Sequence, residues 1–257
     1  MTFRDSALAF EMVPRVRTGR EFTWRRRVRL GDATPNGRLR LDATARFLQD
    51  VANDDSRDAK WSDPHWWVVR RTVIDVHSFP VYLQEVDLVT WCGGYGSHWA
   101  ERRTQINSVD GEPLIEAASL WVHIDKDTMQ PSRVPADVTE SLVPSADGRR
   151  VNARLILKDA DFAAGTQSDD AAWPLRFVDY DTVGHMNNAA YWAPVEEHLA
   201  AHRDLRAPMR AVVEHVVQVD PGATVNRRTA RRNGDELEMQ LVSTDTMHAA
   251  YWCGPLT

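Results

Sequence analysis

The chain carries an internal repeat. Residues 29–44, RLGDATPNGRLRLDAT, and residues 176–191, RFVDYDTVGHMNNAAY, match at one spacing, which pairs Asp32 with Asp179 and Gly37 with Gly184. A strand-like run precedes each copy, Trp24 to Leu30 and Trp173 to Val178, and a helical pattern follows each. After the first copy, Phe47, Leu48, Val51 and Ala52 share a helical face; after the second, Tyr191, Trp192, Val195 and Leu199 do. Runs rich in Val, Ile, Thr and Trp then read as strands: 66–77, 86–92, 98–107 and 113–124, and again 211–219, 224–231, 236–243 and 247–253. Strand, turn, helix and four antiparallel strands, twice over, is an α+β solution in which a helix covers one face of a sheet. The repeat predicts two domains, 1–150 and 151–257, packed sheet edge to sheet edge. Between them, 131–172 has linker composition (Pro131, Pro135, Pro144, SADGRR, AAGTQSDD), with room for one strand from Val151 to Leu157. GGYG at 93–96 lacks the GKS/T of a phosphate loop and reads as a hairpin turn. Pro194 falls inside the second helical pattern, so that helix either kinks or starts late.

Composition narrows the function classes. A net charge of −6 argues against a dedicated nucleic-acid binder. Two cysteines, Cys92 and Cys253, exclude a disulfide framework or a Cys-rich metal site, and both read as buried small hydrophobes. No apolar run approaches the roughly 18–20 residues that cross a bilayer. Charge interrupts the apolar residues of the N-terminal stretch, unlike a signal peptide, so a soluble cytoplasmic protein is expected, with no membrane partner. G-x-S-x-G is absent. HLAAH at 198–202 has the spacing of a helical zinc pair but neither the glutamate nor a third ligand, so no metal or other cofactor is expected.

The segment DYDTVGHMNNAAYW resembles the loop-to-helix motif of hotdog-fold thioesterases. With RRTVIDVHSFP, the pair Trp91-Cys92 followed by ERRTQI, and SLWVHIDKDTMQPSRVP, the chain resembles the acyl-ACP thioesterase family of plants and bacteria. That resemblance implies a double hotdog that hydrolyses fatty acyl-acyl carrier protein and releases free fatty acid in fatty acid biosynthesis. It also implies a catalytic second repeat and a first repeat that holds the acyl chain. The family's Asp and His, in a D-x-N-x-H pattern, map to Asp181 and His185; Val183 stands at its Asn position, and Gln218 at the position of a Glu on a following strand. The turn itself, DxDxxGHxN, resembles the acyl-CoA thioesterases of the same fold, which keeps acyl-CoA as an alternative to acyl carrier protein. Val183 and Gln218 motivate a second reading, a non-catalytic acyl-binding protein on a degenerate double hotdog. Single hotdogs pair, and a homodimer of this chain is a further expectation.

The residues support a site in their own right. Asp181 precedes a helix start and suits a general base or a nucleophile. Backbone N–H groups from His185 to Asn188 suit an oxyanion, with Asn187 and Asn188 as substrate-binding candidates. Gln218 cannot ionise and would position water or substrate. The same loop can be read as turn and cap chemistry alone. The repeat weighs against that, because the first copy has Thr34 where the second has Asp181, and Arg38 where it has His185. Trp61, Trp66, Trp67, Trp91, Trp99 and Trp121 crowd the first half, as either core or acyl slot. Arginine clusters such as Arg25 to Arg27 would steer an acidic carrier protein.

Overall fold

The computed structural model describes residues 2–61, 66–157, 169–202, 205–232 and 235–256. A short helix α1 (Phe3–Leu8) leads into β1 (Glu21–Arg27), a 3-10 turn (Leu30–Asp32), α2 (Leu41–Asp58), β2 (Trp66–Val76), β3 (Glu85–Tyr95), β4 (Trp99–Ser108) and β5 (Pro113–Ile124). After α3 (Ala136–Ala146), the second half runs β6 (Asp169–Trp173), a 3-10 turn (Phe177–Asp179), another (Ala190–Trp192), α4 (Ala193–Ala201), β7 (Met209–His215), β8 (Val225–Arg232), β9 (Glu236–Ser243) and β10 (Thr246–Pro255). All ten strands form one sheet in the order β1-β3-β4-β5-β2-β7-β10-β9-β8-β6. The order reads the same from either end once the repeat is applied. The two halves meet edge to edge through antiparallel β2 and β7, with Thr72 opposite Val213 and Ile74 opposite Ala211.

The two turns are built alike. Asp32 accepts the Arg29 N–H at 2.9 Å, and Asp179 accepts the Arg176 N–H at 2.7 Å. Gly37 and Gly184 both sit at φ +85°, where a side chain is strained. Both helices then pack on one face of the sheet. Phe47, Leu48 and Val51 of α2 join Tyr191, Trp192, Val195 and Leu199 in a single core with Ile74, Leu88, Ala211 and Tyr251. Asp55, buried on α2, ties the helix to the sheet through Arg20 at 2.8 Å and Arg102 of β4 at 2.5 Å. Pro194 is resolved by a late start. It occupies the first turn of α4, where its missing N–H costs nothing, and a 3-10 turn carries Tyr191 and Trp192 before it.

The region between the halves differs from its linker composition. Helix α3 forms there, packing Val138, Leu142 and Ala146 on Cys92, Tyr95 and Ala100. Residues 151–157 are not a strand. The N–H groups of Ile156 and Leu157 go to the Glu214 carboxylate at 2.5 and 2.7 Å, so a side chain replaces the ladder. With α1 this strap covers the back of the sheet over Val73, Val212, Ala250 and Trp252. Most of AAGTQSDD lies outside the described residues. GGYG enters a hairpin rather than forming its turn: Gly93, Gly94 and Tyr95 end β3, with a register shift between Cys92 and Gly94, and Gly96 opens the β3–β4 turn, donating its N–H to the Trp99 carbonyl at 2.8 Å. A Cβ on Gly93 would stand 2.4 Å from the Arg103 side chain, so close approach, not reversal, selects the glycine. Both cysteines are free and buried. No helix among the described residues is long and apolar enough to cross a membrane.

Candidate active site

A cleft of about 720 Å³ opens where α2 of the first half meets the Asp179–Asn188 turn of the second. Gln49, Asn53, Ser56 and Arg57 of α2, with Lys60 just past its end, line one side, while Cys92, Ala100, Arg102, Trp121 and Trp67 come from the strands opposite. Leu142 of α3 contributes, and Asp181, Val183 and Asn188 close the other end. Five of the six tryptophans that crowd residues 61–121, Trp61, Trp66, Trp67, Trp91 and Trp121, line the cleft. The sixth, Trp99, instead donates its indole N–H to the Val151 carbonyl at 2.7 Å.

The Asp181 carboxylate is held on both oxygens. Oδ1 accepts the Val183 N–H at 3.0 Å and Oδ2 accepts the Asn187 amide at 3.2 Å. Asn187 is itself fixed, since its Oδ1 accepts the Ala189 N–H at 2.9 Å, which assigns the amide orientation. Asn187 therefore orients the carboxylate from behind, while Asn188 faces the cleft. Among the described residues no acceptor takes the Asn188 N–H. Opposite, Gln49 Oε1 is buried with no hydrogen-bond partner among the described residues.

The matching corner of the other half is closed. Arg38, in the place of His185, forms a bidentate pair with Glu196 of α4 at 3.0 and 2.9 Å. Glu196 Oε1 also accepts the Leu41 N–H at 2.5 Å. Leu41 stands at the repeat position of Asn188, and Glu196 at that of Gln49. The donor and acceptor that satisfy each other through Glu196 in one copy are thus, among the described residues, both left unpaired in the other.

Of the residues singled out from sequence, Asp181 and Asn188 line the cleft, and Asn187 stands directly behind. His185 does not line it; its carbonyl accepts the Asp181 N–H at 3.1 Å, and its ring is half-buried. Gln218 does not reach the cleft either: it is exposed and donates to Asp220 at 3.2 Å. Gln49 and Asn53 were not legible as site residues. Carrying the repeat into the helix would have paired Gln49 with Glu196, two polar residues on otherwise apolar faces. Cys92 is no nucleophile, because burial pushes its thiol up to about 11. His198 and His202 of HLAAH stack with centroids 4.0 Å apart. Among the described residues no group of three or more His, Cys, Asp or Glu could hold a metal ion.

The acyl-ACP thioesterase N-terminal domain matches residues 19–142, and the acyl-ACP thioesterase C-terminal domain matches residues 163–250. The chain belongs to the acyl-ACP thioesterase family. It is a thioester hydrolase on a double hotdog. An uncharacterized protein of Mycobacterium tuberculosis is 32% identical over 249 residues, covering 96% of both chains. A chloroplastic acyl-[acyl-carrier-protein] hydrolase of Cuphea viscosissima is 28% identical over 134 residues, 49% of this chain and 31% of that protein. The 12:0-ACP thioesterase from Umbellularia californica superposes with a TM-score of 0.75 at 18% identity, over 91% of this chain and 96% of that one. An acyl-ACP thioesterase from Bacteroides thetaiotaomicron superposes with a TM-score of 0.68 at 16% identity, over 91% and 97%. In this acyl-ACP thioesterase family member, one cleft is open and its repeat mate is filled by an ion pair.

Proposed function

We propose that the chain hydrolyses fatty acyl-acyl carrier protein, releasing free fatty acid from the acyl chains of fatty acid biosynthesis, at the cleft that holds Asp181. The observation that carries this reading is the asymmetry between the repeats: among the described residues, Asn188 N–H and Gln49 Oε1 stand unpaired in the cleft of an oriented carboxylate, whereas Leu41 N–H and Glu196 satisfy each other. Asp181 acts as general base and takes a proton from water as the water oxygen bonds to the thioester carbon. The Asn188 N–H meets the developing oxyanion. The C–S bond then breaks, and the proton on Asp181 passes to the departing thiolate. Gln49 positions the water or the thioester from the opposite wall. His185 holds the Asp181 backbone through its carbonyl, and Gln218 steadies Asp220 at the edge of the turn.

Arg57 and Lys60 line the cleft and form no ion pair among the described residues, so they suit the phosphate of a 4′-phosphopantetheine arm. Coenzyme A carries that phosphate too; only the carrier protein adds an acidic surface. The cluster at Arg25 to Arg27 is already paired with Asp87, Asp50 and Glu85, so its charge is largely answered within the chain. The test compares kcat/KM for one acyl chain on carrier protein and on coenzyme A as salt rises. A carrier advantage at low salt that shrinks as the Debye length falls below ~10 Å supports the reading. Equal values with equal salt slopes would make coenzyme A the carrier. No thiol release from either would leave acyl binding without catalysis.

A further inference from the structure

Two polar groups in the cleft have no use for a plain hydrocarbon. The indole N–H groups of Trp67 and Trp121 are buried and have no hydrogen-bond partner among the described residues, and both residues line the cleft. Their strands place them together. Trp67 lies opposite His123 and Val69 lies opposite Trp121 across the β2–β5 pair, so the two indoles are diagonal neighbours on one sheet face. Other indoles of the same half are satisfied within the protein: Trp61 donates to Ser141 at 2.9 Å and Trp99 to Val151 at 2.7 Å. The Trp252 indole also lacks a partner among the described residues, but it is sealed in the core behind the sheet. Among the described residues the cleft thus holds two buried side-chain donors for a ligand to answer, the indoles of Trp67 and Trp121. Facing them, α2 presents Gln49, Asn53 and Ser56 rather than an apolar stripe. An alkyl chain laid here would leave both buried N–H groups unanswered.

We propose that the acyl group accepted by this cleft carries oxygen along its chain, as a hydroxy- or oxo-acyl thioester, with the Trp67 and Trp121 indoles donating to that oxygen. The proposal rests on the thioesterase reading above and names the substrate class of the same site. A site built around hydrogen-bond donors rejects the analogue that lacks the acceptor more sharply than an apolar slot rejects an added hydroxyl. The flat tryptophan faces hold the chain, and the N–H edges set where along it the oxygen falls.

The test uses the full chain and acyl carrier protein thioesters of one medium-length acyl chain, with the matching coenzyme A thioesters in parallel. One substrate is saturated; the others carry a hydroxyl or keto oxygen moved stepwise from the β-carbon to the terminal carbon. Thiol release is followed for each. At least one oxygenated isomer should exceed the saturated chain in kcat/KM by about tenfold, the scale of one well-used hydrogen bond. Trp67→Phe or Trp121→Phe, which keeps an aromatic ring and deletes the N–H, should cut that ratio several-fold. Equilibrium binding of the free hydroxy acid and the plain acid to the unmodified protein asks the same question if a variant fails to fold. Saturated and oxygenated chains hydrolysed equally well would overturn the substrate class and leave the thioesterase reading standing. So would tryptophan variants that weaken all substrates alike, which would assign the indoles to the pantetheine arm. Thiol release from none of the thioesters, with both acids bound equally, would overturn both.

Discussion

Replacing Asp181 by Asn removes a charge while keeping the side chain's shape. In the native turn Oδ1 accepts from Val183 at 3.0 Å and Oδ2 from Asn187 at 3.2 Å. The new NH2 must face one of these donors, so one bond is lost whichever way the amide turns. Asn187 cannot rotate to compensate, because its own oxygen is held by the Ala189 N–H at 2.9 Å. One hydrogen bond at a half-buried turn is worth ~1 kcal/mol, or a Tm loss of ~2–4 °C in a chain of this size. Loss of a general base costs ~100- to 10,000-fold in kcat, about 3–5 kcal/mol of barrier. The substitution therefore separates chemistry from folding: kcat falls at least ~100-fold while Tm moves by a few degrees. Thiol release with the best thioester and thermal unfolding of the same samples measure the two. Turnover within about threefold of the unmodified enzyme, a barrier change under ~1 kcal/mol, would remove Asp181 from the mechanism. A Tm loss beyond ~10 °C would make its carboxylate structural. Thr34→Ala, at the matching position of the first repeat, leaves turnover unchanged.

Two further outcomes concern stability. Glu196→Ala strips the partner from Arg38 and the acceptor from the Leu41 N–H. Breaking a buried pair of this kind costs ~3–5 kcal/mol, and a denaturant-unfolding difference under ~1 kcal/mol would show that the pair is not structural. Burial, with Arg70 adding to it, pushes the His215 imidazole down to about 3. Its unfolded value is ~6.5, so the folded state favours the neutral ring. That contribution is complete above pH ~6.5 and is lost at ~1.4 kcal/mol per pH unit as pH falls below it, until the folded value is reached. His215→Phe keeps a ring against Tyr191, which now meets the imidazole edge-on at 4.6 Å. It should flatten the acid limb by ~2 kcal/mol between pH 7 and 5 in urea titrations; equal acid losses in both proteins would refute the assignment.

What the sequence discloses is whatever is written locally. The strands at 113–124 and 236–243 carry their own β-branched and aromatic pattern and match β5 and β9 end to end. The turn motif repeats because Asp32, Asp179, Gly37 and Gly184 answer local backbone demands. Helix α3 was hidden because Pro135 and Pro144 read as linker, while Val138 and Leu142 gain their helix from packing on β3 and β4. Gly93 looked like turn chemistry because a glycine has the same letter whether it serves φ or makes room for Arg103. Asp181 and Asn188 could be found by comparing the copies. Gln49 could not be found in that loop, because the cleft is completed across the halves and the pattern of α2 alone shows only a polar residue on an amphipathic helix.

The Arg38–Glu196 pair also bears on how such a chain can change over generations. In a dimer of identical single repeats, symmetry copies every substitution into both corners at once. An arginine entering the turn would fill both corners and extinguish the enzyme. Joining the repeats in one chain uncouples the two fates. Arg38 comes from the first copy and Glu196 from the second, and neither has its counterpart at the other corner, where His185 and Gln49 stand. The closed corner is free to act as a rivet between repeats, and the open one keeps its vacancy for a thioester. Each chain should then bind one acyl group, where a symmetric pair of the same size would bind two.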